Sequence, residues 1–169
     1  GWSVLLAKFA AGNLFVFVAI TATVEAPLLL GTAGDLDGGA IVAQYIGSLF
    51  LAASLVAIGL FASSLTRNQV VAFMLGLALT AVLMFLGLDL VLESVPSAAA
   101  AVVQGLSPLV HFSNIARGVL ALRDVVYFAA IVAAFLAGAH LSVRGKSLSH
   151  RSGPYRNLQA GVAGLVVVS

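Results

Sequence analysis

The chain has 169 residues, of which 62% are hydrophobic and 8% charged, with a formal net charge of +2 and no cysteine. An ordinary soluble domain carries roughly a quarter charged residues, so a soluble fold is excluded; lipid can solvate such a surface, provided the backbone satisfies its own hydrogen bonds. Without cysteine there are no disulfides, thiolate metal sites or cysteine nucleophiles, and the scattered basic residues read as topology signals instead of a nucleic-acid surface.

The apolar runs are long and continuous and do not alternate residue by residue, which favours helices over barrel strands. The expected fold is all-α: a polytopic bundle of about four spans, with a re-entrant or surface helical segment before the last span and a partial fifth hydrophobic segment. The first run covers residues 9–30, and roughly 22 residues at 1.5 Å rise span about 33 Å, enough for a hydrocarbon core. Lys8 marks its start. Glu25, with Pro27 two residues on, lies inside the outer end of this run; an intramembrane acid is a functional candidate by default, while its shallow depth also suits plain exposure or helix capping. Residues 31–39 (GTAGDLDGG), with Asp35 and Asp37, read as a solvent loop.

The second run covers residues 40–65 and ends at Thr66, Arg67, Asn68 and Gln69; the third covers residues 70–88, before Asp89 and Glu93. Residues 95–122 are interrupted by Pro96, Gln104, Gly105, Pro108, His111 and Asn114, so a pair of short re-entrant or surface-lying helices is expected there and not a crossing. Within it, Ser113 or Asn114 is the expected cap of an amphipathic helix. Ile115, Val119 and Leu122 would share its apolar face, leaving Arg117, Arg123 and Asp124 to water or to each other. Such a helix is either a headgroup anchor or an outer gate element. A fourth run, residues 125–143, precedes Arg144, Gly145 and Lys146 and a polar stretch through His150, Arg151, Pro154 and Arg156. Residues 158–169 are apolar but too short to cross. An opening on Gly1 and this half segment at the end give the expectation of a fragment.

Charge sorts the loops. One side collects Lys8, Arg67, Arg144, Lys146, Arg151 and Arg156; the other holds Asp35, Asp37, Asp89, Glu93 and Asp124 with Arg117 and Arg123 as its cations. By the positive-inside rule the first set is cytoplasmic and the first helix runs outward. Small residues recur every four positions at Ala72, Gly76 and Thr80, and at Ala130, Ala134, Gly138 and Ser142, the spacing of a close helix seam.

The tripeptide Gly145, Lys146, Ser147 imitates the end of a phosphate-binding loop, but His140 stands where its first glycine belongs and a membrane helix precedes it. The expectation is therefore a basic anchor, with no ATP site in this chain. His111, His140 and His150 share no metal-ligand spacing, and no paired carboxylate or Ser, His, Asp set converges.

Residues 107–128 (SPLVHFSNIARGVLALRDVVYF) resemble the segment before the last membrane helix of ABC-2-type permeases, particularly the gliding-motility and nitrous-oxide-reduction-associated branch. The matching elements are His111-Phe112, Arg117-Gly118-Val119, Leu122-Arg123-Asp124 and Tyr127-Phe128. Residues 58–73 (IGLFASSLTRNQVVAF) look like the cytoplasmic turn between the fourth and fifth helices of that family, and residues 2–9 (WSVLLAKF) are similar to the end of its coupling segment. The resemblance covers residues 1–146 and implies a permease transmembrane domain carrying the last four helices of a six-helix unit. Residues 147–169 would be a cytoplasmic linker and the start of a further hydrophobic segment. It implies an export-type transporter of the bacterial cytoplasmic membrane, working as a homodimer, with ATP and Mg bound and hydrolysed by separate cytoplasmic ATPase subunits. By the same resemblance Trp2, Ser3 and Lys8 would lie near the ATPase contact, and His111, Phe112, Arg117, Arg123 and Asp124 at the outer gate. No catalytic, cofactor or metal residue is expected in this chain, and its partners are lipid, a second permease copy and the ATPase, with no nucleic acid. The alternatives are a non-transporting scaffold or auxiliary subunit, or a secondary carrier, which would need coupling-ion ligands at mid-membrane.

Overall fold

The computed structural model describes residues 1–31, 37–94, 96–118 and 121–151; Asp35, Val119 and the segment 158–169 lie outside the described residues. Among the described residues the chain is helical throughout, a transmembrane bundle without strands.

Helix α1 spans Trp2–Ala22 and α2 spans Glu25–Gly31. The first apolar run is thus two helices and not one. Pro27 explains the break: in a continuous helix its missing N–H would face the Thr23 carbonyl four residues back, and its ring would clash there. The chain instead turns at Thr23, whose hydroxyl donates to the Ile20 carbonyl at 2.7 Å. Because α1 begins at Trp2, Lys8 sits on its second turn instead of at its foot.

Helix α3 spans Gly38–Leu65, and Asp37 caps it by accepting from the Gly39 and Ala40 N–H groups at 2.9 and 3.3 Å. Helix α4 spans Gln69–Phe85, three residues shorter at its end than the apolar run, and Asn68 caps it from Oδ1 in the same way. Asn68 starts α4 directly after Thr66 and Arg67, which keeps the α3–α4 turn to three residues. Then come α5 (Asp89–Ser94), α6 (Ser97–Leu106), α7 (Pro108–Ala116) and α8 (Leu122–Arg151). Helix α8 continues past residue 146 to Arg151 without a break.

Three stretches are long and apolar enough to cross a membrane: Trp2–Leu29, Gly38–Leu65 and Leu122–Gly145. Helix α4, with 17 residues, spans about 26 Å and lies at the short end of the crossing range. None of the apolar window of the first stretch is buried, and Phe15, Leu14 and Phe73 are all more than half exposed, so lipid or other protein must cover these sides.

Helix α3 is the hub, packed against α1, α4, α7 and α8. Its buried Ala43 packs with Ile115 of α7 and Phe128 of α8, and Ser54, Ala57, Ile58 and Ala62 on α3 and Leu136 and Ala139 on α8 are buried as well. Small residues allow the approach. A Cβ on Gly76 would lie 3.5 Å from Ala62, so the α4 stripe approaches α3 at that position, while Ala72 and Thr80 line with Leu55 and Gly59 an open cavity between the two helices. On α8, Gly138 receives the Phe61 ring, but Ala130 and Ala134 are exposed, so that stripe is a seam at one position and not along its length.

The helix ends sort into two groups. At one end the Thr23 and Tyr45 hydroxyls lie 3.1 Å apart and Gln44 donates to the Ala116 carbonyl at 3.4 Å, joining α1, α3 and α7. At the other, the Trp2 ring stacks on His140 of α8 at 4.3 Å. Gly87, just past α4, packs against Ser107 and Val110. The chain therefore leaves α4 and starts α8 at the same end, and α5, α6 and α7 form a non-crossing hairpin there, as the charge pattern requires.

Gly87 has no room for a side chain: a Cβ would overlap the Ser107 hydroxyl, which caps α7 by accepting from the Leu109 N–H at 3.2 Å. Gly87→Ala is expected to cost about 2 kcal/mol through overpacking and loss of the cap. Detergent-denaturation midpoints followed by helical circular dichroism read this directly, with Gly105→Ala, which meets open space, as the neutral control.

Candidate functional site

The site lies where the hairpin meets the first turn of α8. Ser107, with Pro108 at the first helical position, starts α7 and not Ser113 or Asn114; a proline there loses nothing, since its N–H would have no partner. Ser113 sits inside the helix and donates to the Val110 carbonyl at 2.8 Å. Helix α7 stops at Ala116 because Gly118 takes a positive φ of 87°, the left-handed conformation that ends helices, with its N–H on the Ile115 carbonyl. The single amphipathic helix expected over residues 113–124 is therefore two helix ends and a turn. Leu122 does not share an apolar face with Ile115; it opens α8 and is 78% exposed, whereas Ile115 is fully buried.

One turn into α7, His111 is buried, and its Nδ1 lies 2.6 Å from Oδ1 of Asp124, also buried. Asp124 is thus not available to water, as the sequence led one to expect, but enclosed against the histidine. Nε2 of His111 lies 3.1 Å from the Gly105 carbonyl oxygen. A carbonyl oxygen can only accept, so Nε2 carries a proton; two bare lone pairs cannot sit 2.6 Å apart, so a second proton lies between Nδ1 and Oδ1. The pair is net neutral on whichever atom that second proton resides.

Tyr127, one turn into α8, completes the cluster. Its ring stacks on His111 at 3.8 Å with 21° between planes, and its hydroxyl donates to the Leu106 carbonyl at 2.5 Å. The Gly105 and Leu106 carbonyls belong to the last turn of α6, where helix acceptors lack intrahelical partners. His111 and Tyr127 supply those partners. The end of α6, the middle of α7 and the start of α8 are tied into one polar knot, backed by Phe128 stacked on Phe50 at 6.1 Å. Phe112 is half buried, beside the Ala43, Ile115 and Phe128 core and against Gly47.

Arg117 and Arg123 are exposed and line, with Asn114, Ala121 and Asp124, an open cavity of about 380 Å³. Glu25 stands at the first position of α2, exposed, where a carboxylate suits the helix N-terminus. Trp2, Ser3 and Lys8 are far along α1 from this site; all are exposed, and Trp2 covers His140 with its ring. Gly145, Lys146 and Ser147 continue α8, so no phosphate-binding loop forms there.

The structure thus unites four of the five outer-gate candidates around one cavity and its buried wall, with Phe112 behind. Sequence reasoning missed Tyr127 as a functional group, the two α6 carbonyls and Ser107. Tyr127 was findable: it follows Asp124 by three residues, the spacing that puts both on one helix face. The carbonyls carry no residue signal.

The arrangement buries a hydrogen-bonded His111–Asp124 pair and fastens a hairpin to a spanning helix. Comparison of the chain with protein-family models, with curated proteins and with solved structures finds no match.

Proposed function

We propose that this chain is part of the membrane-spanning permease of an ATP-driven exporter of the ABC-2 type in a bacterial cytoplasmic membrane, with ATP bound and hydrolysed by separate cytoplasmic subunits and a second permease copy completing the pathway. The observation that carries the reading is the non-crossing hairpin fastened through His111, Asp124 and Tyr127 to the start of α8, at the end opposite Trp2, Arg67 and Arg144. The family resemblance expects an outer gate at residues 111–124 and an ATPase contact at Trp2, Ser3 and Lys8, and both sets lie at helix ends suited to those tasks.

Helix α8 connects them. From Asp124 to His140 it rises about 24 Å, and a helix in a packed bundle moves as a body. ATP-driven closure of the partner subunits displaces Trp2; its stacked ring hands that displacement to His140 and so to α8, whose far end holds the hairpin. Two packings of the hairpin, fastened and released, then exchange populations according to the nucleotide state.

The test is recovery of the partner. Affinity-purified full-length protein is expected to bring down a nucleotide-hydrolysing subunit, and Trp2→Ala with Lys8→Glu to reduce the recovered ATPase activity by about tenfold or more, the loss of one interface anchor. Purification with no ATPase at all overturns the permease reading in favour of a non-transporting scaffold.

A further inference from the structure

The cavity between the end of α7 and the first turn of α8 holds two guanidinium groups with no ionised carboxylate to balance them among the described residues that line it. Arg117 stands at the C-cap of α7 and Arg123 is the second residue of α8; both are exposed, and among the described residues neither is paired with a carboxylate. We propose that this cavity is a binding site for a phosphate-bearing anion at the membrane–water boundary, gripped by Arg117 and Arg123.

Charge is the first support. The carboxylate in the wall, Asp124, is 1% exposed and has its Oδ1 taken by His111 at 2.6 Å. The protons that the His111 contacts demand make that pair neutral, so it cancels neither arginine. The other acids at this end, Glu25, Asp37, Asp89 and Glu93, sit on or beside α2, α3 and α5 and are not among the residues lining the cavity. Among the described residues that line it, the net charge is that of two guanidiniums.

Shape and donors are the second support. A volume of about 380 Å³ accommodates a phosphate with its ester substituent, and a guanidinium presents paired N–H donors that match two phosphate oxygens at once. Asn114 adds an amide, and the opening N–H groups of the 30-residue α8 point out of its N-terminus with the positive end of its dipole. Depth is the third. Leu122 is the first residue of the apolar stretch that α8 contributes to the membrane, so the cavity sits where headgroup phosphates lie. The proposal rests on the membrane-spanning fold and not on the permease reading.

The phosphate can come from an anionic lipid or from solution, and one experiment separates them. The intact chain in maltoside micelles is titrated with dihexanoyl phosphatidylglycerol, with inorganic phosphate, and with dihexanoyl phosphatidylcholine as the headgroup of no net charge, binding being followed by native mass spectrometry and by thermal shift. Saturable binding of phosphatidylglycerol alone assigns a lipid phosphate; saturable binding of inorganic phosphate assigns a soluble one. Arg117→Gln with Arg123→Gln is expected to weaken that binding about 100-fold, tenfold per guanidinium. The Arg117→Lys, Arg123→Lys pair, which keeps charge and loses the fork, is expected to fall between. Absence of saturable binding by either probe, equal binding of phosphatidylcholine, or binding unchanged in the glutamine variant overturns the proposal. Both arginines are exposed, and an unchanged circular dichroism spectrum of each variant shows that the loss is of the site and not of the fold.

Discussion

His111→Ala is expected to lower the stability of the bundle by about 3–5 kcal/mol, because it leaves the Asp124 side chain buried with no partner. The same change removes the donor to the Gly105 carbonyl and the ring on which Tyr127 stacks, so three attachments of the hairpin go together. Replacing both polar groups, His111→Leu with Asp124→Leu, is expected to recover most of that loss, since a buried pair exchanged for apolar side chains of similar volume is often neutral. Strong non-additivity is thus the signature: the double variant is more stable than His111→Ala alone, although it carries one more substitution. Denaturation midpoints in detergent for the wild type, His111→Leu, Asp124→Leu and the double variant close the cycle. Additive losses would show that the two groups stand side by side without sharing a proton. Under the permease reading the double variant is also the informative one for function. It keeps the fold and loses the fastening, so export that continues unchanged would remove the hairpin from the mechanism.

The lipid-solvated bundle was legible because composition and run length are properties of the chain alone: residues 40–65 needed no tertiary information to be read as a helix, whereas Asp37 and Asn68, read only as loop and run end, turn out to cap α3 and α4. The break at Thr23 was legible in principle through Pro27, but an apolar run conceals it, since hydropathy averages over the very residue that interrupts the hydrogen bonds. The hairpin was read as non-crossing for a sound reason, its interrupted apolarity, yet its internal joints were misplaced. Ser107, Ser113 and Asn114 are all acceptable caps by type, and what decides for Ser107 is Pro108 after it and Gly87 from another element leaving space for its hydroxyl. The pairing of His111 with Asp124 was beyond reach for a different cause. Thirteen residues and a left-handed turn at Gly118 separate them, so neither helical period nor motif spacing brings them together; only the packing of α7 and α8 on α3 does. Polar residues in an apolar chain were correctly singled out, but which of them would face water and which each other is settled by packing.

A chain without cysteine allows each introduced thiol to be the sole one, and single-cysteine labelling with a membrane-impermeant maleimide is expected to give all-or-none results. Glu25→Cys and Glu93→Cys, both exposed and at the hairpin end, should react on intact cells; Gln69→Cys and Gly145→Cys, exposed at the other end, should react only after permeabilisation. The reason is energetic and not statistical. Helices α3 and α8 each carry 24 or more residues of continuous apolar helix, about 36 Å or longer, against a hydrocarbon core of about 30 Å. A polar turn such as the one at Thr66, Arg67 and Asn68 cannot rest inside that core. In the sequence Lys8, Arg67, Arg144, Lys146, Arg151 and Arg156 group on one side of the spans, so the positive-inside rule predicts that this face is the cytoplasmic one. Residue 145 labelled on the same face as residue 93 would mean that the hairpin crosses, and would put Arg123 on the face opposite Glu93. Four thiols labelled alike on intact cells would mean that nothing spans. The expected pattern leaves the arginine cavity, the His111–Asp124 pair and the mouth of the bundle facing the compartment from which an anion at the outer surface can reach them.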